Sequence, residues 1–351
     1  MVDWHISSIN PGTSQPDFPL NFLESNPPKI KMRKGQNPAK FVKQVAQPQR
    51  ITVAVLNYIP FLSGFYAQTL DVLKTCLGSL WANTDLPHDL LVFDNGSCQE
   101  AIDFLTDAQD EGKIQYLILA EKNMGKGGAW NTMLNAAPGE IIAYTDNDAY
   151  FYPGWLSKSV HILETFPEVG MVTSRPFRTP PEFYSHTVEW AEHAPDATIQ
   201  RGQFIPWESF KAFDMSLGTP EPEVRQRYEN TEDVRISYKG EMVQAGGSHW
   251  QFVSFKSVIQ QFLPFSMDRP MGQVRQLDQR MNEAGYLRLM PVEFLAQNMS
   301  NRLDWIHDPS ELQQAKSAQS NPLSKQLLNH SLVKRLLLGL YNRIFNWYYE
   351  G

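Results

Sequence analysis

Cysteine is nearly absent from this 351-residue chain: Cys76 and Cys98 are its whole supply. Two thiols are too few for a disulfide framework or a four-ligand zinc site. A basic excess is missing as well. With 31 Lys and Arg against 38 Asp and Glu, the formal charge is -7. A protein that gains affinity by neutralising nucleic-acid phosphates needs a basic face, so no nucleic-acid partner is expected. No run of about 18 apolar residues occurs. The first residues, MVDWHISSIN, lack the charged segment and apolar run of a secretory signal. The expectation is a reduced, cytoplasmic protein without a membrane span. At 42% hydrophobic and 20% charged residues, the composition is that of an ordinary globular chain.

Four segments are distinguished. Residues 1–50 hold seven prolines, and between Lys29 and Arg50 they hold seven basic residues and no acidic one. Proline removes a backbone donor and biases its predecessor away from helix, so this reads as an extended basic arm. From Ile51 the texture changes to short apolar strands, such as ITVAVLNYI and LLVF, alternating with helical stretches near 69–81, 99–111 and 127–136. That alternation predicts a parallel α/β sheet over residues 51–156. Past Gly154 the alternation weakens, and 176–248 reads as a loop-rich insertion. A helix near 272–284 and a strand at 286–295 complete a second subdomain, 157–305. Residues 306–351 form a tail with leucines near helical spacing and basic residues at Lys325, Lys334, Arg335 and Arg343.

Ligands of an open parallel sheet bind beyond the carboxyl ends of its strands. Here those ends are polar. The first is Asn57-Tyr58, the second Asp94-Asn95-Gly96-Ser97, the third Asn123-Met124-Gly125-Lys126-Gly127-Gly128, and the fourth Asp146-Asn147-Asp148. Acids, a lysine and clustered glycines together describe a site for a phosphorylated ligand and a metal. Two carboxylates two residues apart repel each other, and a hard divalent cation, Mg2+ or Mn2+, offsets that repulsion while bridging a diphosphate.

The run VAVLNY, LLVFDNGS, NMGKGGAWN and GEIIAYTDNDAYFYPGWL resembles the nucleotide-sugar-binding half of family 2 glycosyltransferases, which have the GT-A fold. The resemblance implies that Asp94 contacts the nucleotide base or ribose. It places Asn57, Asn95, Asn123, Lys126, Asn131 and Asn147 around the nucleotide sugar, and it makes Asp146 and Asp148 the metal-diphosphate motif. The segment from Gly246 to Val253 resembles the acceptor-side strand of such enzymes and brings His249 and Trp250 to the acceptor, where a Trp ring suits a sugar face. In the family a carboxylate at the start of a later helix is the general base. The usual Glu-Asp pair is absent: Gln273 and Val274 stand at one common spacing. Asp278 is the nearest acid and Asp268 the alternative. Many members close the metal shell with a later His; the comparable position here is Asn298, with His307 as a remote alternative.

The expectation is therefore a GT-A-like nucleotide-sugar-binding sheet flanked by helices, with an acceptor lobe and a helical tail. The activity implied is metal-dependent, inverting transfer of a sugar from a nucleoside-diphosphate donor to a carbohydrate or lipid-linked acceptor. The tail suits an anionic membrane surface on the inner face of a membrane, or burial against the protein's own body or a second subunit. Rival readings are a nucleotide-sugar-binding module without turnover and a nucleotidyltransferase of related fold. A dehydrogenase is disfavoured, because the glycines at 125, 127 and 128 lack the Gly-x-Gly-x-x-Gly spacing.

Overall fold

The computed structural model describes residues 35–216, 218–268 and 275–306. Most of the expected arm and tail, His307, Gln273 and Val274 lie outside the described residues. The chain divides into two units, Met1–Gln47 and Pro48–Gly351. In the first, the described part holds one 3-10 turn, Pro38–Phe41, capped by the Asn37 side chain accepting from Ala39 N at 3.1 Å.

In the second unit the elements run, in chain order, β1 (Ile51–Asn57), α1 (Thr69–Asn83), β2 (His88–Asp94), α2 (Gln99–Asp110), β3 (Tyr116–Leu119), α3 (Gly125–Ala136), β4 (Ile141–Asp146), β5 (Ala149–Phe151), α4 (Trp155–Thr165) and β6 (Val169–Val172). There follow α5 (Ser185–His193), β7 (Ala197–Gly202), α6 (Trp207–Ser216), α7 (Glu221–Asn230), β8 (Asp233–Tyr238), β9 (Glu241–Ala245), β10 (Gln251–Phe255), α8 (Lys256–Ile259), α9 (Arg275–Glu283), β11 (Leu287–Pro291) and β12 (Ala296–Asn298). A ten-stranded sheet has the order β3-β2-β1-β4-β10-β6-β11-β9-β8-β7, and β12 pairs with β5 in a second sheet.

The apolar β-branched run of β1 is buried at every position, as a strand covered on both faces requires. It pairs parallel with β2 and with β4. The chain runs outward through β2 and β3, then returns to the other side of β1 as β4. That reversal opens a crevice between the carboxyl ends of β1 and β4, the place where such sheets take ligands. The parallel pairing expected over residues 51–156 is present in β1 to β4, and β6 pairs parallel with β11. β10 is antiparallel to both β4 and β6, so the sheet is mixed. The N-terminal end of β10 thereby reaches the same edge as the C-terminal end of β4.

Residues 176–248 are not the loop-rich insertion their irregular composition suggests. They form α5 to α7 and the antiparallel strands β7 to β9, which extend the main sheet. The helical faces here pack through aromatic and cation-π contacts instead of an aliphatic stripe, so the period was not readable. The strand expected at 286–295 is β11 followed by a break before β12, which crosses to the small sheet.

Under the crevice, Trp130 of α3 is fully buried and meets Tyr144 edge-on at 5.0 Å and Phe265 at 5.2 Å between centroids. In the lobe, Asp233 at the start of β8 is buried and accepts from Arg178 Nε at 2.8 Å and Nη2 at 3.0 Å. It also accepts from the backbone N–H groups of Phe204 and Ile205 at 2.8 and 2.9 Å. Removing one member of such a buried pair strands the other's charge, which typically costs about 3–5 kcal/mol. Asp233→Ala is expected to lose that much stability in urea denaturation, with Arg178 left unpaired between Phe210 and Tyr228.

Candidate functional site

The site is built on backbone ends that cannot move independently. Asn57 closes β1 and is wholly buried, as is Asp94 at the end of β2. Asn57 Nδ2 donates to Asp94 Oδ1 at 2.7 Å and to Ser97 Oγ at 3.1 Å. Asp94 Oδ2 accepts from the N–H groups of Gly96 and Ser97 at 3.2 and 2.9 Å. Asn147 Nδ2, coming from β4, donates to Asn57 Oδ1 at 2.6 Å and ties the two strand ends across the crevice. On the other side, Asn95 donates to Asn123 Oδ1 at 2.9 Å and accepts from Met124 N at 2.9 Å. This fixes the loop that begins α3. Gly96 has φ +83°, and a Cβ there would lie 2.9 Å from Asn123 N, so only glycine lets these two loops approach.

Both Asp94 oxygens accept hydrogen bonds within the protein, bracing the turn at 96–97. The Asn131 amide donates to Phe265 O at 2.8 Å and its carbonyl accepts from Phe265 N at 2.7 Å, holding the loop after α8 onto α3.

The β4 end carries the charge. Asp146 Oδ2 accepts from Lys126 Nζ at 2.6 Å, with Lys126 buried, while its Oδ1 accepts from the Tyr144 hydroxyl. Tyr144 and Asp146 share a strand face because side chains alternate with period two. The lysine ammonium also lies 5.6 Å from the Trp130 ring centre and 5.8 Å from that of Tyr144. Burial and the neighbouring Asp146 push the Tyr144 hydroxyl well above its ordinary value, so it remains a donor.

Asp148 differs from its neighbour. Its Oδ1 is shut off from solvent and has no hydrogen-bond partner among the described residues. Burial and then the Asp146 charge push its carboxyl up to about 7, against the smaller downward pull of Lys126 and of a hydrogen bond from Asn298. Asn298 lies in β12 opposite Ala149, and Met299 N donates to Asp148 O at 2.7 Å. The structure thus brings Asp146, Asp148, Asn147, Lys126 and Asn298 together. Among the described residues no group of three or more His, Cys, Asp or Glu converges as a metal cage. A hard cation here would draw on Asp148 Oδ1 and on oxygens brought by a ligand, with Asn298 Oδ1 beside it already accepting from Ser300 N at 2.8 Å.

The remaining residues sit elsewhere on the edge. Asp278 in α9 is 4% exposed, with Oδ1 on Arg288 Nη2 at 2.5 Å and Oδ2 on His249 Nδ1 at 2.5 Å. Asp268 is exposed on the loop before α9. Trp250 is buried and packs 6.4 Å from the Phe213 ring. Arg288 was missed by sequence reasoning. The signal was available: a lone charged residue within Leu287-Arg288-Leu289-Met290, a strand buried at every position, needs a buried acid. Cys76 lies behind the site, and burial pushes its thiol up, so it is inert.

Residues 65–220 match the model of Glycosyl transferase family 2. A curated relative, an uncharacterized glycosyltransferase (alr2836) of Nostoc sp. strain PCC 7120, is 28% identical over 123 residues, 35% of this chain and 35% of its own length. The chain therefore spans about a third of that relative. Among solved structures, the mannosyltransferase PcManGT from Pyrobaculum calidifontis in complex with GDP-Man and Mn2+ aligns over 72% of this chain and 57% of its own, at 17% identity and TM-score 0.43. S. aureus TarS 1–349 in complex with UDP-GlcNAc aligns over 69% of this chain and 56% of its own, at 13% identity and TM-score 0.38.

A carboxyl with a folded pKa above its unfolded value of about 3.9 binds its proton more tightly in the fold. Its ionisation thus costs stability, with no penalty below the unfolded pKa and the full penalty above the folded one. For Asp148, pushed up to about 7, the loss builds between those limits. In EDTA, Asp148→Asn is expected to raise the melting temperature at pH 8 and to leave it nearly unchanged at pH 4, as followed by circular dichroism.

Proposed function

With the family 2 glycosyltransferase match at residues 65–220 as premise, we propose that this protein transfers a sugar from a nucleoside-diphosphate sugar to an acceptor hydroxyl, with inversion. The observation that supports it most is the orphaned Asp148 Oδ1, buried beside the compensated Asp146 at the crevice between β1 and β4. A buried carboxylate without a partner is unfavourable, and a ligand that arrives with a cation relieves it. Asp148 and Asn298 would hold Mn2+ or Mg2+, whose chemistry is to stabilise negative charge on the departing diphosphate.

The protein's own residues do the rest. Lys126 holds the Asp146 carboxylate in place through their ion pair. The Asn57, Asn147, Asp94 and Ser97 network holds the two strand ends at constant separation, so that the donor meets a rigid edge. Asn95 and Asn123 fix the start of α3, their side-chain oxygens accepting from Met124 N and Gly125 N at 2.9 and 2.7 Å.

One observation favours the rival, a binding module without turnover: Asp278, the expected base, has both oxygens occupied. Turnover of the donor separates the two.

A ligand at a hundred times its Kd stabilises the fold by about 2.7 kcal/mol, which for a domain of this size moves Tm by roughly 5 °C. A panel of nucleoside diphosphates with Mn2+ is expected to contain at least one that gives such a shift, abolished by EDTA. Asp148→Ala is expected to remove the Mn2+-dependent part while keeping the far-UV spectrum. An unchanged Mn2+-dependent shift in the variant refutes the assignment.

A further inference from the structure

The acceptor side holds a charge relay that the family resemblance does not supply. Asp278 is nearly inaccessible, and its two oxygens face Arg288 and His249. Arg288 is wholly buried and donates also to Gly247 O and Phe183 O, each at 2.5 Å. It therefore clamps both the carboxylate and the backbone two residues before His249. A guanidinium does not give up its proton in a protein, and a carboxylate paired with it is an acceptor only. The hydrogen between His249 Nδ1 and Asp278 Oδ2 then belongs to the imidazole, and in the neutral ring the lone pair sits on Nε2. That nitrogen has no partner among the described residues, and the His249 side chain keeps 23% of its surface exposed.

The position of the ring fits this chemistry. Asp146 N donates to Trp250 O at 2.9 Å, and Gln251 is in register with Thr145. His249 lies in the turn at 249–250 that leads into β10, closed by the Ser248–Gln251 bridge and next to the Trp250 carbonyl that Asp146 N meets. Ser248 N donates to Thr173 Oγ1 at 2.9 Å and fixes the approach from the other side.

We propose that His249, not Asp278, takes the proton of the acceptor hydroxyl, with Asp278 and Arg288 as positioning residues. The inference rests on the glycosyl-transfer reading above. In the step, the O–H electron pair of the acceptor stays with its oxygen as the proton passes to the Nε2 lone pair. That oxygen bonds the anomeric carbon, and the bond from this carbon to the diphosphate oxygen breaks, its electrons leaving on the nucleoside diphosphate. The imidazolium formed is balanced by the Asp278 carboxylate and later returns its proton to water.

The test uses the full chain, with UDP- and GDP-linked hexoses as donors and water as the acceptor. Nitrogen-15 NMR of labelled histidine is expected to show the Nδ1–H tautomer for His249 in the wild type, and loss of that preference in Asp278→Asn. His249→Gln is expected to lower kcat by about 10²- to 10⁴-fold, the usual loss when a general base is removed, while donor Kd stays unchanged. Added imidazole is expected to restore part of the activity of His249→Ala, which a structural role would not produce. An Nε2–H tautomer in the wild type overturns the proposal even if every variant misfolds. An active wild type with an equally active His249→Gln overturns this inference alone. A wild type inert toward every donor overturns the transfer reading and this inference with it.

Discussion

Two acids leave β4 two residues apart above an apolar layer, and the rest of the site is arranged around that electrostatic conflict. Like charges so close in a poorly solvated place cannot both be ionised without compensation. The protein compensates them unequally. Asp146 receives a buried lysine and a tyrosine hydroxyl, and the aromatic shell of Trp130 and Tyr144 beneath Lys126 keeps that ammonium in place. Asp148 receives one amide from Asn298 and retains an unpaired oxygen. The asymmetry leaves one buried carboxylate oxygen open beside an acid that is already paired.

Much of this was legible in the sequence because the first half of the sheet obeys simple rules. The runs from Ile51, Leu90 and Ile141 are buried parallel strands, and the polar residues at their ends fall at the edge where the sheet reverses. Asp94 shows where such reading stops. Its position at a strand end was right, but its partners, Gly96 N, Ser97 N and the Asn57 amide, are set by the turn's backbone. Asn131 likewise lies near the site, yet its orientation is decided by Phe265, more than a hundred residues away in sequence. The lobe at 176–248 was illegible because its helices are anchored by Arg178, Arg225 and Arg227 against aromatic rings, contacts without a hydrophobic period.

The Asp278 cluster repeats the logic of the Asp146 cluster with different residues. Arg288 compensates Asp278 as Lys126 compensates Asp146, and in both cases a third side chain shares the carboxylate: His249 there, Tyr144 here. The consequence differs. Tyr144 is buried and stays a donor, whereas His249 is partly exposed.

Anomalous scattering from crystals grown with Mn2+ and a nucleoside diphosphate tests the central claim most directly. The account predicts one manganese peak in bonding contact with Asp148 Oδ1, with Asn298 beside it, diphosphate oxygens completing the shell and Lys126 still on Asp146. A nucleotide bound at the crevice with no manganese at Asp148, or manganese seated away from this oxygen, would contradict it.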